Sequence, residues 1–593
     1  MRKVAVIVER DKCHPTRCQH ECMKFDPVNK AGGEGFHLGP HGKSEINEEV
    51  ASEMHKICAK KCPFQAIHIV NLPEKLIEDP INRFGQNQFE LFLLPIVKPS
   101  ITVGIIGRNG IGKSTALEIL SGNIIPNLGN FNEKSKDYSK VIEKYSTKVL
   151  GDYFKKLSNR EIKISYKPQR VEMLASLYKG QKVIDLLNNV DEKNQILPVL
   201  KSLELENLKE RMIEELSGGE LQRVAIAACL LKAADVYYFD EPTSFLDITH
   251  RIQAARVIRR LSQNHSVIVV EHDLATLDYI SDEIQIVYGE PACYGIFSQS
   301  KAVRRGINEY MDGYLPDENT RFRNYPIKFF ERPQESIISR HILAKFPILE
   351  KKFKTFKLKV NEVKLHKEEV LAIMGSNGLG KSTFLKMLAG ELKPDNTDMK
   401  GLKISYKPQY LNYNIDGNVG DYLRNIAGSE FNSGWYKTNI LEKLNVQNVL
   451  NNEIRKLSGG ELQKLHIAAC LSNQEAELVA MDEPSAFIDV EDRLKVAEVI
   501  KDFVSMKGIA AIIVDHDIQF VDYLGDSMLV FEGVSGKEGH VFGPLPKREG
   551  MNRVLKNLDL TYRRDKQTGR PRINKPGSQL DQEQRSKGEY YYA

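Results

Sequence analysis

Two glycine-rich loops in this chain end in lysine and serine, a combination of residue types that binds phosphate groups. Residues 107–114 read Gly-Arg-Asn-Gly-Ile-Gly-Lys-Ser and follow an apolar run. A buried strand, such a loop and then a helix form a P-loop, whose backbone N–H groups surround nucleotide phosphates. In this pattern Lys113 contacts the β- and γ-phosphates and Ser114 binds Mg²⁺. The other residues predicted to bind the nucleotide are Gly107, Asn109, Gly110, Gly112 and Thr115.

A second phosphate-binding segment, residues 216–222, reads Leu-Ser-Gly-Gly-Glu-Leu-Gln and is termed the signature below. Ser217 supplies a hydroxyl, and Gly218 and Gly219 offer backbone N–H groups at the positive end of a helix dipole. One ATP does not need two phosphate sites from the same domain. We therefore expect Ser217, Gly218 and Gly219 to bind a nucleotide that another domain holds.

Acidic, amide and imidazole side chains at strand ends complete a hydrolytic site. One apolar run ends in Asp240 and Glu241. Asp240 suits the Mg²⁺ shell, and Glu241 is the predicted general base or water-positioning residue. Gln169, at the end of an earlier strand, is predicted to orient water or Mg²⁺. His272, at the end of a later strand, is predicted to sense the γ-phosphate.

The second half of the chain repeats these features in the same order and at nearly the same spacing, so both sites are predicted to be active. Two α/β domains facing head to tail would enclose two ATP molecules, each between the P-loop of one half and the signature of the other. Asp247 and Asp489 are expected to couple the halves. The second set comprises Gly375, Asn377, Gly378, Gly380, Lys381, Ser382, Thr383, Gln409, Ser458, Gly459, Gly460, Asp482, Glu483 and His516, with Ser382 and Asp482 on Mg²⁺.

Five of the eight cysteines lie near the N-terminus, with a spacing similar to that of two-cluster ferredoxins. In such modules the fourth cysteine of each run binds the other cluster. One complete [4Fe–4S] site would then consist of Cys13, Cys18, Cys22 and Cys62. The other position retains a single thiolate, and its residues are Asp26, Ser52, His55 and Cys58. We expect one cluster to be present and the second to be lost; zinc on the same four cysteines, or no metal, are the alternatives.

The elements that must position these residues are buried strands alternating with helices, which indicates an α/β fold. We predict two tandem P-loop domains of the ABC type after a ferredoxin-like α+β domain. Residues 130–160 are interpreted as a surface insertion with a weak helical pattern, which is either a solvated face or a contact for a partner. Residues 577–593 are interpreted as a frayed polar tail. The predicted boundaries are 1–78 for the cysteine domain, 79–300 and 336–545 for the ATPase domains, 301–335 for a hinge and 546–593 for a second hinge and tail.

The two predicted hinges are basic segments interrupted by glycine and proline. Each contains an arginine cluster: 321–323 in the first hinge, 563–564 and 570–572 in the second. A solvated linker is one interpretation, and contact with an RNA backbone is the other. Upstream, Phe84 is a candidate for stacking on adenine; Phe89, or a purely structural role for both rings, is the alternative.

The overall composition is compatible with these interpretations but does not show whether a partner is a nucleic acid. The 593 residues are 41% hydrophobic and 27% charged, and the net charge of +5 is compatible with a nucleic-acid partner. No apolar run reaches the length of a membrane span. The N-terminal apolar stretch is too short for a secretion signal, so we expect a cytosolic protein with reduced cysteines.

Taken together, these motifs resemble the class E ABC proteins, the soluble twin ATPases known as ribosome-recycling factors or RNase L inhibitors. The resemblance rests on the cysteine module, both signatures, the two Asp-Glu-Pro stretches, and the hinge sequences Arg-Gly-Ile-Asn and Arg-Pro-Arg-Ile-Asn-Lys. It implies an ATPase that splits ribosomes after termination by ATP-driven domain closure. It also implies contacts with ribosomal RNA, the small subunit, release factor and initiation factors, in a monomer without membrane contact.

The chain departs from the family pattern of eight cysteines and two clusters at Asp26, Ser52 and His55. A milder departure is Asp515, which stands where glutamate is usual before the histidine. An alternative function is an ATP-switched scaffold or inhibitor that binds initiation factors or a nuclease without motor activity. The intact Glu241 and Glu483 argue against that alternative.

Overall fold

The computed structural model describes residues 4–72, 79–132, 137–329, 341–397, 402–409, 411–412 and 415–591. Contacts divide the chain into two compact units. The first comprises Met1–Ser244, Ala254–His272 and Ile280–Pro326, and the second comprises Phe245–Gln253, Asp273–Tyr279 and Ile327–Ala593. The predicted domain boundaries at 78 and 335 lie outside the described residues. None of the helices in the described ranges has the length and apolar character needed to cross a bilayer.

The first unit begins with a small α+β domain. Its strands Val4–Val8 and Ile67–Asn71 pair antiparallel, and a ribbon joins Phe36–Leu38 to Ser44–Ile46. Its helices are Glu21–Lys24, Pro27–Lys30 and Lys56–Lys61. The apolar core of this domain is small, and the cysteines Cys13, Cys22 and Cys58 form part of it. These three cysteines therefore lie in the interior of the domain.

The first ATPase domain is built on one mixed sheet whose central strands are parallel. The strand that precedes the P-loop, Thr102–Ile106, is buried at every residue because helices cover both faces of a parallel sheet. The strand order is Asn82–Arg83, Glu90–Phe92, Tyr294–Phe297, Glu283–Glu290, Thr102–Ile106, Ser266–Val270, Val236–Asp240 and Ile164–Lys167, with Lys301–Ala302 paired to Glu283–Glu290. The helices are Lys113–Leu120, Ser139–Lys144, Val149–Ser158, Glu172–Leu177, Val183–Val190, Ile196–Ser202, Gly218–Leu231, Ile248–Leu261, Leu274–Ile280 and Val303–Asp312.

The segment 130–160 is more than a surface insertion. Its two helices, Ser139–Lys144 and Val149–Ser158, bury Val141 and Phe154 in the core beneath the P-loop helix. The Tyr153 hydroxyl lies 2.6 Å from that of Tyr238 on the central sheet. The interpretation as a solvated surface is therefore wrong for one face, because aromatic side chains within a polar segment pack inward.

The second ATPase domain repeats the sheet. Its strand order is Leu349–Lys352, Lys357–Val360, Glu538–Pro546, Ser527–Val534, Val370–Met374, Ala510–Val514, Leu478–Asp482 and Ile404–Lys407. A separate ribbon pairs Ile342–Phe346 with Val363–His366. The helices of the second unit include Lys381–Leu388, Val419–Ala427, Gly434–Tyr436, Gly459–Ser472, Val490–Lys507, Ile518–Leu524, Lys547–Asn557 and Gln579–Lys587, with a π-helix at Lys437–Glu442.

The two predicted hinges correspond to equivalent folded elements rather than linkers. Each is a helix followed by a two-stranded ribbon. The first ribbon pairs Tyr314–Leu315 with Thr320–Arg321, and the second pairs Tyr562–Arg564 with Pro571–Ile573. In the first hinge Arg323 is buried and donates to the carbonyls of Tyr310 and Met311. In the second, Arg570 and Arg572 are also buried and contact the Asp278 carboxylate. The predicted RNA contact is therefore wrong for these three arginines, because protein groups already surround them.

The predicted frayed tail is wrong for residues 577–591, the part of it that the structure describes. A helix spans Gln579–Lys587, and the Thr561 hydroxyl donates to Asp581 at 2.5 Å. Gln584 Nε2 donates to the carbonyl of Tyr562 at 2.9 Å. Tyr591 is buried and forms a bridge with Tyr562. The segment is polar, yet its polar groups are satisfied by specific partners, so it is ordered against the second ribbon.

Candidate functional site

The first P-loop is shaped by a glycine at the start of its helix. Gly112 has φ +94°, a conformation that side-chain-bearing residues rarely adopt, and a Cβ there would collide with the ring of Phe89. Lys113 follows, and its Nζ donates to the carbonyls of Gly107 at 2.9 Å and Arg108 at 2.8 Å. The lysine thus lies over the loop, on the side where phosphates bind in such loops.

The candidate Mg²⁺ residues of the first unit lie next to each other. Asp240 ends its strand and is fully buried. Burial raises the pKa of this carboxyl to about 6, while the adjacent Ser114 hydroxyl opposes the shift. Neither carboxylate oxygen has a partner within ordinary hydrogen-bonding geometry among the described residues. A buried acid in this condition fits a divalent cation that would restore its charged form.

The structure brings three predicted catalytic residues of the first unit together. Gln169 Nε2 donates to Glu241 Oε1 at 2.7 Å, and His272 Nε2 lies 3.3 Å from the same oxygen. Burial acts to raise the pKa of Glu241, but the hydrogen bond and charge of His272, together with Lys113, hold it lower, at about 2. Glu241 is therefore held as a carboxylate, the form that accepts a proton from water.

The second unit repeats this arrangement around Glu483. Lys381 Nζ donates to the carbonyls of Gly375 at 2.9 Å and Ser376 at 2.7 Å. Gln409 Nε2 donates to Glu483 Oε1 at 2.7 Å, and His516 Nε2 lies 3.5 Å from that oxygen. Burial raises the pKa of Asp482, the counterpart of Asp240, while the Ser382 hydroxyl opposes the shift.

The two glutamates differ in one close neighbour. Ser244 Oγ donates to Glu241 Oε2 at 2.9 Å, whereas the corresponding position three residues after Glu483 is Ala486. Burial, together with the charges of Asp482 and Asp515, raises the pKa of Glu483 to about 7. The two sites thus share their residue types but hold their predicted bases at different proton affinities.

Asp515, the departure from the usual glutamate, keeps the role of its counterpart. It accepts hydrogen bonds from the N–H of Ser485 at 3.0 Å and from the Ser485 hydroxyl at 2.7 Å. Glu271 accepts the same two bonds from Thr243, at 2.9 and 2.6 Å. The substitution therefore leaves this turn intact.

Each signature serine caps the helix that follows it. Ser217 Oγ accepts the N–H of Glu220, and Glu220 in turn accepts the N–H of Ser217 at 2.8 Å. Ser458 and Glu461 form the same capping box. The glutamate of the signature thus has a structural role, because it fixes the turn from which the helix begins.

Asp247, predicted to couple the halves, contacts the second P-loop within the second unit. Its carboxylate accepts the N–H of Asn377 at 2.7 Å and lies 2.7 Å from His250 Nδ1. Thr249 Oγ1 lies 2.8 Å from Ser376 Oγ. The segment Phe245–Gln253 and the second P-loop therefore share hydrogen bonds.

The four cysteines of the predicted cluster site, Cys13, Cys18, Cys22 and Cys62, line one cavity of the N-terminal domain. The N–H of Ser44 donates to Cys13 Sγ at 3.5 Å, and the Ser44 hydroxyl lies 3.3 Å from Cys22 Sγ. Burial raises the pKa of the Cys13, Cys22 and Cys62 thiols. Within the described ranges, no three His, Cys, Asp or Glu side chains converge as a single-ion site.

The residues of the second cluster position instead make polar contacts with one another. Asp26 and His55 are both fully buried, and His55 Nε2 lies 3.3 Å from Asp26 Oδ1. Asp26 also accepts the N–H of Phe36 at 2.5 Å, and Ser52 caps the turn that carries His55. Burial and the charge of Asp26 raise the pKa of Cys58 to about 12, so its thiolate is disfavoured. These residues do not fit a second cluster.

The sequence alone did not identify the residues that contact the backbone of the two acid pairs. Lys167 and Lys407 each donate to the backbone of an acid pair, and Gln222 and Gln463 of the signatures donate to the carbonyls of Glu241 and Glu483. Their recurrence in both halves was the available signal. The adenine-stacking candidate Phe84 is about half exposed, beside Phe89.

Comparison with known proteins relates this geometry to a family. Residues 96–244 and 358–486 match the ABC transporter family, and residues 4–34 match a family described as a possible Fer4-like domain in RNase L inhibitor. The translation initiation factor RLI1 of Saccharomyces cerevisiae is 41% identical over 598 residues, which cover 99% of this chain and 98% of the yeast protein.

Two solved structures match most or all of this chain. A model of ribosome-bound archaeal Pelota and ABCE1 contains a chain 47% identical, with a TM-score of 0.93, covering 100% of this chain and 99% of that one. The crystal structure of archaeal ribosomal stalk protein aP1 with archaeal ribosome recycling factor aABCE1 matches at 49% identity and a TM-score of 0.82, covering 87% and 99%. The predicted resemblance and fold class are confirmed, and the chain belongs to the class E ABC proteins, the RNase L inhibitor family of twin ATPases.

Proposed function

We propose that this chain is a ribosome recycling factor that couples ATP hydrolysis to the splitting of post-termination ribosomes into subunits. The observation that carries the proposal is similarity over the full chain to ABCE1 in the ribosome-bound complex with Pelota. Two complete sets of hydrolytic residues support a motor rather than an ATP-switched scaffold.

Within each site, we assign the chemistry to the residues that lie together. Glu241 and Glu483 orient and deprotonate the attacking water, assisted by a glutamine and a histidine: Gln169 and His272 in the first site, Gln409 and His516 in the second. Charge-assisted contacts to the γ-phosphate come from Lys113 and Lys381. Ser114 with Asp240, and Ser382 with Asp482, would hold Mg²⁺, which would neutralise the negative charge that develops on the phosphates.

The backbone supplies the rest of the phosphate contacts. The N–H groups of the two P-loops and of the signature glycines surround the phosphates, and the signature serines contact the γ-phosphate. These residues are Gly107, Asn109, Gly110, Gly112, Thr115, Gly375, Asn377, Gly378, Gly380, Thr383, Ser217, Gly218, Gly219, Ser458, Gly459 and Gly460, with Phe84 stacking on one adenine.

We further propose that the N-terminal domain binds one [4Fe–4S] cluster through Cys13, Cys18, Cys22 and Cys62. The support is a cavity lined by all four cysteines. Tetrahedral zinc on the same four cysteines is the alternative, and the sequence Cys62-Pro63, typical of ferredoxin cluster motifs, favours the cluster. A cluster bound here would staple the small domain. The second position is filled by Asp26 and His55 and carries no cluster.

The proposed partners follow from the same family relationship. We expect contacts with the small ribosomal subunit and its RNA, with a release factor or a Pelota-like protein, and with initiation factors. The chain would act as a monomer in the cytoplasm, where ribosomes and these factors meet. Exposed basic residues of the hinge elements, such as Arg304 and Arg321, are better placed for RNA than the buried arginines.

The proposal is tested by incubating the protein with post-termination ribosomes, release factor and ATP, and then sedimenting the products. The parent protein should convert ribosomes to subunits. A matched variant, Lys113→Ala with Lys381→Ala, should leave them intact because it loses the phosphate contacts. Intact ribosomes in the presence of a fully active ATPase would refute the motor and favour the scaffold.

A further inference from the structure

A buried lysine reaches both acids of each ATP site through their backbone carbonyls. Lys167 ends the strand Ile164–Lys167, and its Nζ donates to the carbonyls of Asp240 at 2.8 Å and Glu241 at 3.2 Å. Lys407 ends the strand Ile404–Lys407, and its Nζ makes the corresponding bonds to Asp482 and Glu483 at 2.7 and 3.3 Å. Two halves of one chain thus make the same contact with the same residue type.

The burial of these lysines removes their ammonium groups from water, and that cost must be offset by other interactions. Each is only 1% exposed, and burial lowers the pKa of each to about 8, against attraction from nearby carboxylates. A methionine could fill the same space without the desolvation of an ammonium group. Their ammonium groups instead donate hydrogen bonds to the main-chain carbonyl oxygens of the acid pair.

The peptide that each lysine contacts has an unusual conformation. Glu241 has φ +45° and Glu483 has φ +49°, in the left-handed region that glutamate seldom adopts. The N–H of Glu241 donates to the carbonyl of Val270 at 2.9 Å, and its own carbonyl accepts from Gln222 Nε2 at 2.6 Å as well as from Lys167. Such backbone strain persists only where the surroundings hold it in place.

We propose that Lys167 and Lys407 are positioning residues for ATP hydrolysis. By fixing two successive carbonyls, each ammonium sets the angle between the carboxylate that binds Mg²⁺ and the carboxylate that orients water. This inference rests on the roles proposed above for Asp240, Glu241 and their counterparts. Since each lysine acts through those acids, its loss should lower turnover and leave ATP affinity largely unchanged.

The test combines Lys167→Met with Lys407→Met, which keeps side-chain volume and removes the donors. The ATPase kcat should fall roughly 10–100-fold, the range expected for a small misplacement of catalytic groups, while KM changes less than about twofold. Lys193→Met is the matched control, because Lys193 also donates to a carbonyl, that of Leu230, but contacts neither acid. It should keep the parental kcat.

Two further variants keep the proposal falsifiable. Should the methionine variant fail to fold, Lys167→Gln with Lys407→Gln serves instead, since glutamine is neutral and too short to bridge both carbonyls; its kcat should also fall. A parental kcat in either folded variant, or a loss confined to KM, would overturn the inference. Glu241→Gln with Glu483→Gln, measured in parallel, tests the underlying assignment: an active glutamine variant would reject the base itself rather than the lysine.

Discussion

Glu241 and Glu483 occupy the same place in two copies of one site, yet their surroundings differ at single atoms. The Ser244 hydroxyl donates to Glu241 and His272 lies 3.3 Å from that carboxylate, whereas Glu483 has Ala486 at the serine position and His516 at 3.5 Å. Each glutamate also lies beside the buried acid that precedes it, Asp240 or Asp482. Opposite-charge and hydrogen-bonding neighbours lower a carboxyl pKa, and burial with like charges raises it. Residues of one type are thereby tuned to different proton affinities.

This difference predicts distinct pH profiles for the two sites. A general base acts above its pKa, so a raised pKa removes activity as the pH falls through it. In Glu241→Gln, only Glu483 acts, and kcat/KM should decline with a midpoint near pH 7. In Glu483→Gln, only Glu241 acts, and kcat/KM should stay level across the same range because its pKa is about 2.

The measurement is steady-state ATPase activity of both variants in one series of buffers. Titration of ATP itself affects the two variants alike, so the difference between the profiles isolates the carboxylates. Adding Ser244→Ala to the Glu483→Gln variant should shift the acidic decline of its kcat/KM profile to higher pH, because Glu241 then loses a hydrogen-bond donor. Coincident profiles in the two single variants would contradict the tuning.

At the scale of elements, glycine and lysine spacing predicted the P-loops well because these residues determine the local backbone. The polar helix Gln579–Lys587 could not be predicted in the same way, since hydrogen bonds such as that from Thr561 to Asp581 join distant positions. The inward face of residues 139–158 depends on Tyr153 meeting Tyr238, again a tertiary contact. Lys167 escaped notice because lysine on a strand ordinarily faces solvent.

The proposal of one cluster in the N-terminal domain can be tested by counting metal, because Asp26 and His55 contact each other at the second cluster position. In the parent protein we expect about four iron and four sulfide per chain, as one [4Fe–4S] cluster requires. The triple change Asp26→Cys, Ser52→Cys and His55→Cys restores thiolates beside Cys58, so anaerobic reconstitution should raise iron to about eight. Iron, sulfide and zinc are counted per chain.

His55→Ala is the matched control for that experiment. It removes the imidazole but leaves Asp26 with the N–H groups of Val28 and Phe36. It should therefore destabilise the protein by about 1–3 kcal/mol, the cost of removing one partner of a buried polar group, while iron stays at the parental level. Parental iron near eight, or one zinc without sulfide, would contradict the assignment of the cysteines.

At the scale of the whole molecule, the chain carries two complete ATPase domains in addition to its cluster domain. Each compact unit contains its own P-loop, acid pair, glutamine and histidine. Repetition within one polypeptide lets the two copies diverge while the chain keeps one fold, as Ser244 against Ala486 and Glu271 against Asp515 illustrate.

The duplication predicts independent phosphate sites. Lys113→Ala and Lys381→Ala should each reduce bound non-hydrolysable ATP analogue from two molecules per chain to one, because each lysine serves one P-loop. Equilibrium dialysis at saturating analogue measures the stoichiometry, and the double variant should bind none. A single variant that loses both nucleotides, or neither, would show that the sites are not separate in this sense.

The buried contact between Asp26 and His55 also changes what the cell must supply. That half of the domain is held by its own side chains, whereas the cysteine-lined half would need iron and sulfide under the one-cluster proposal. On that proposal each molecule would need less iron than a two-cluster protein and would carry fewer thiolates that oxidants can attack. The presence of a carboxylate, a hydroxyl and an imidazole at three cysteine positions would then make the maturation of this protein less dependent on iron supply.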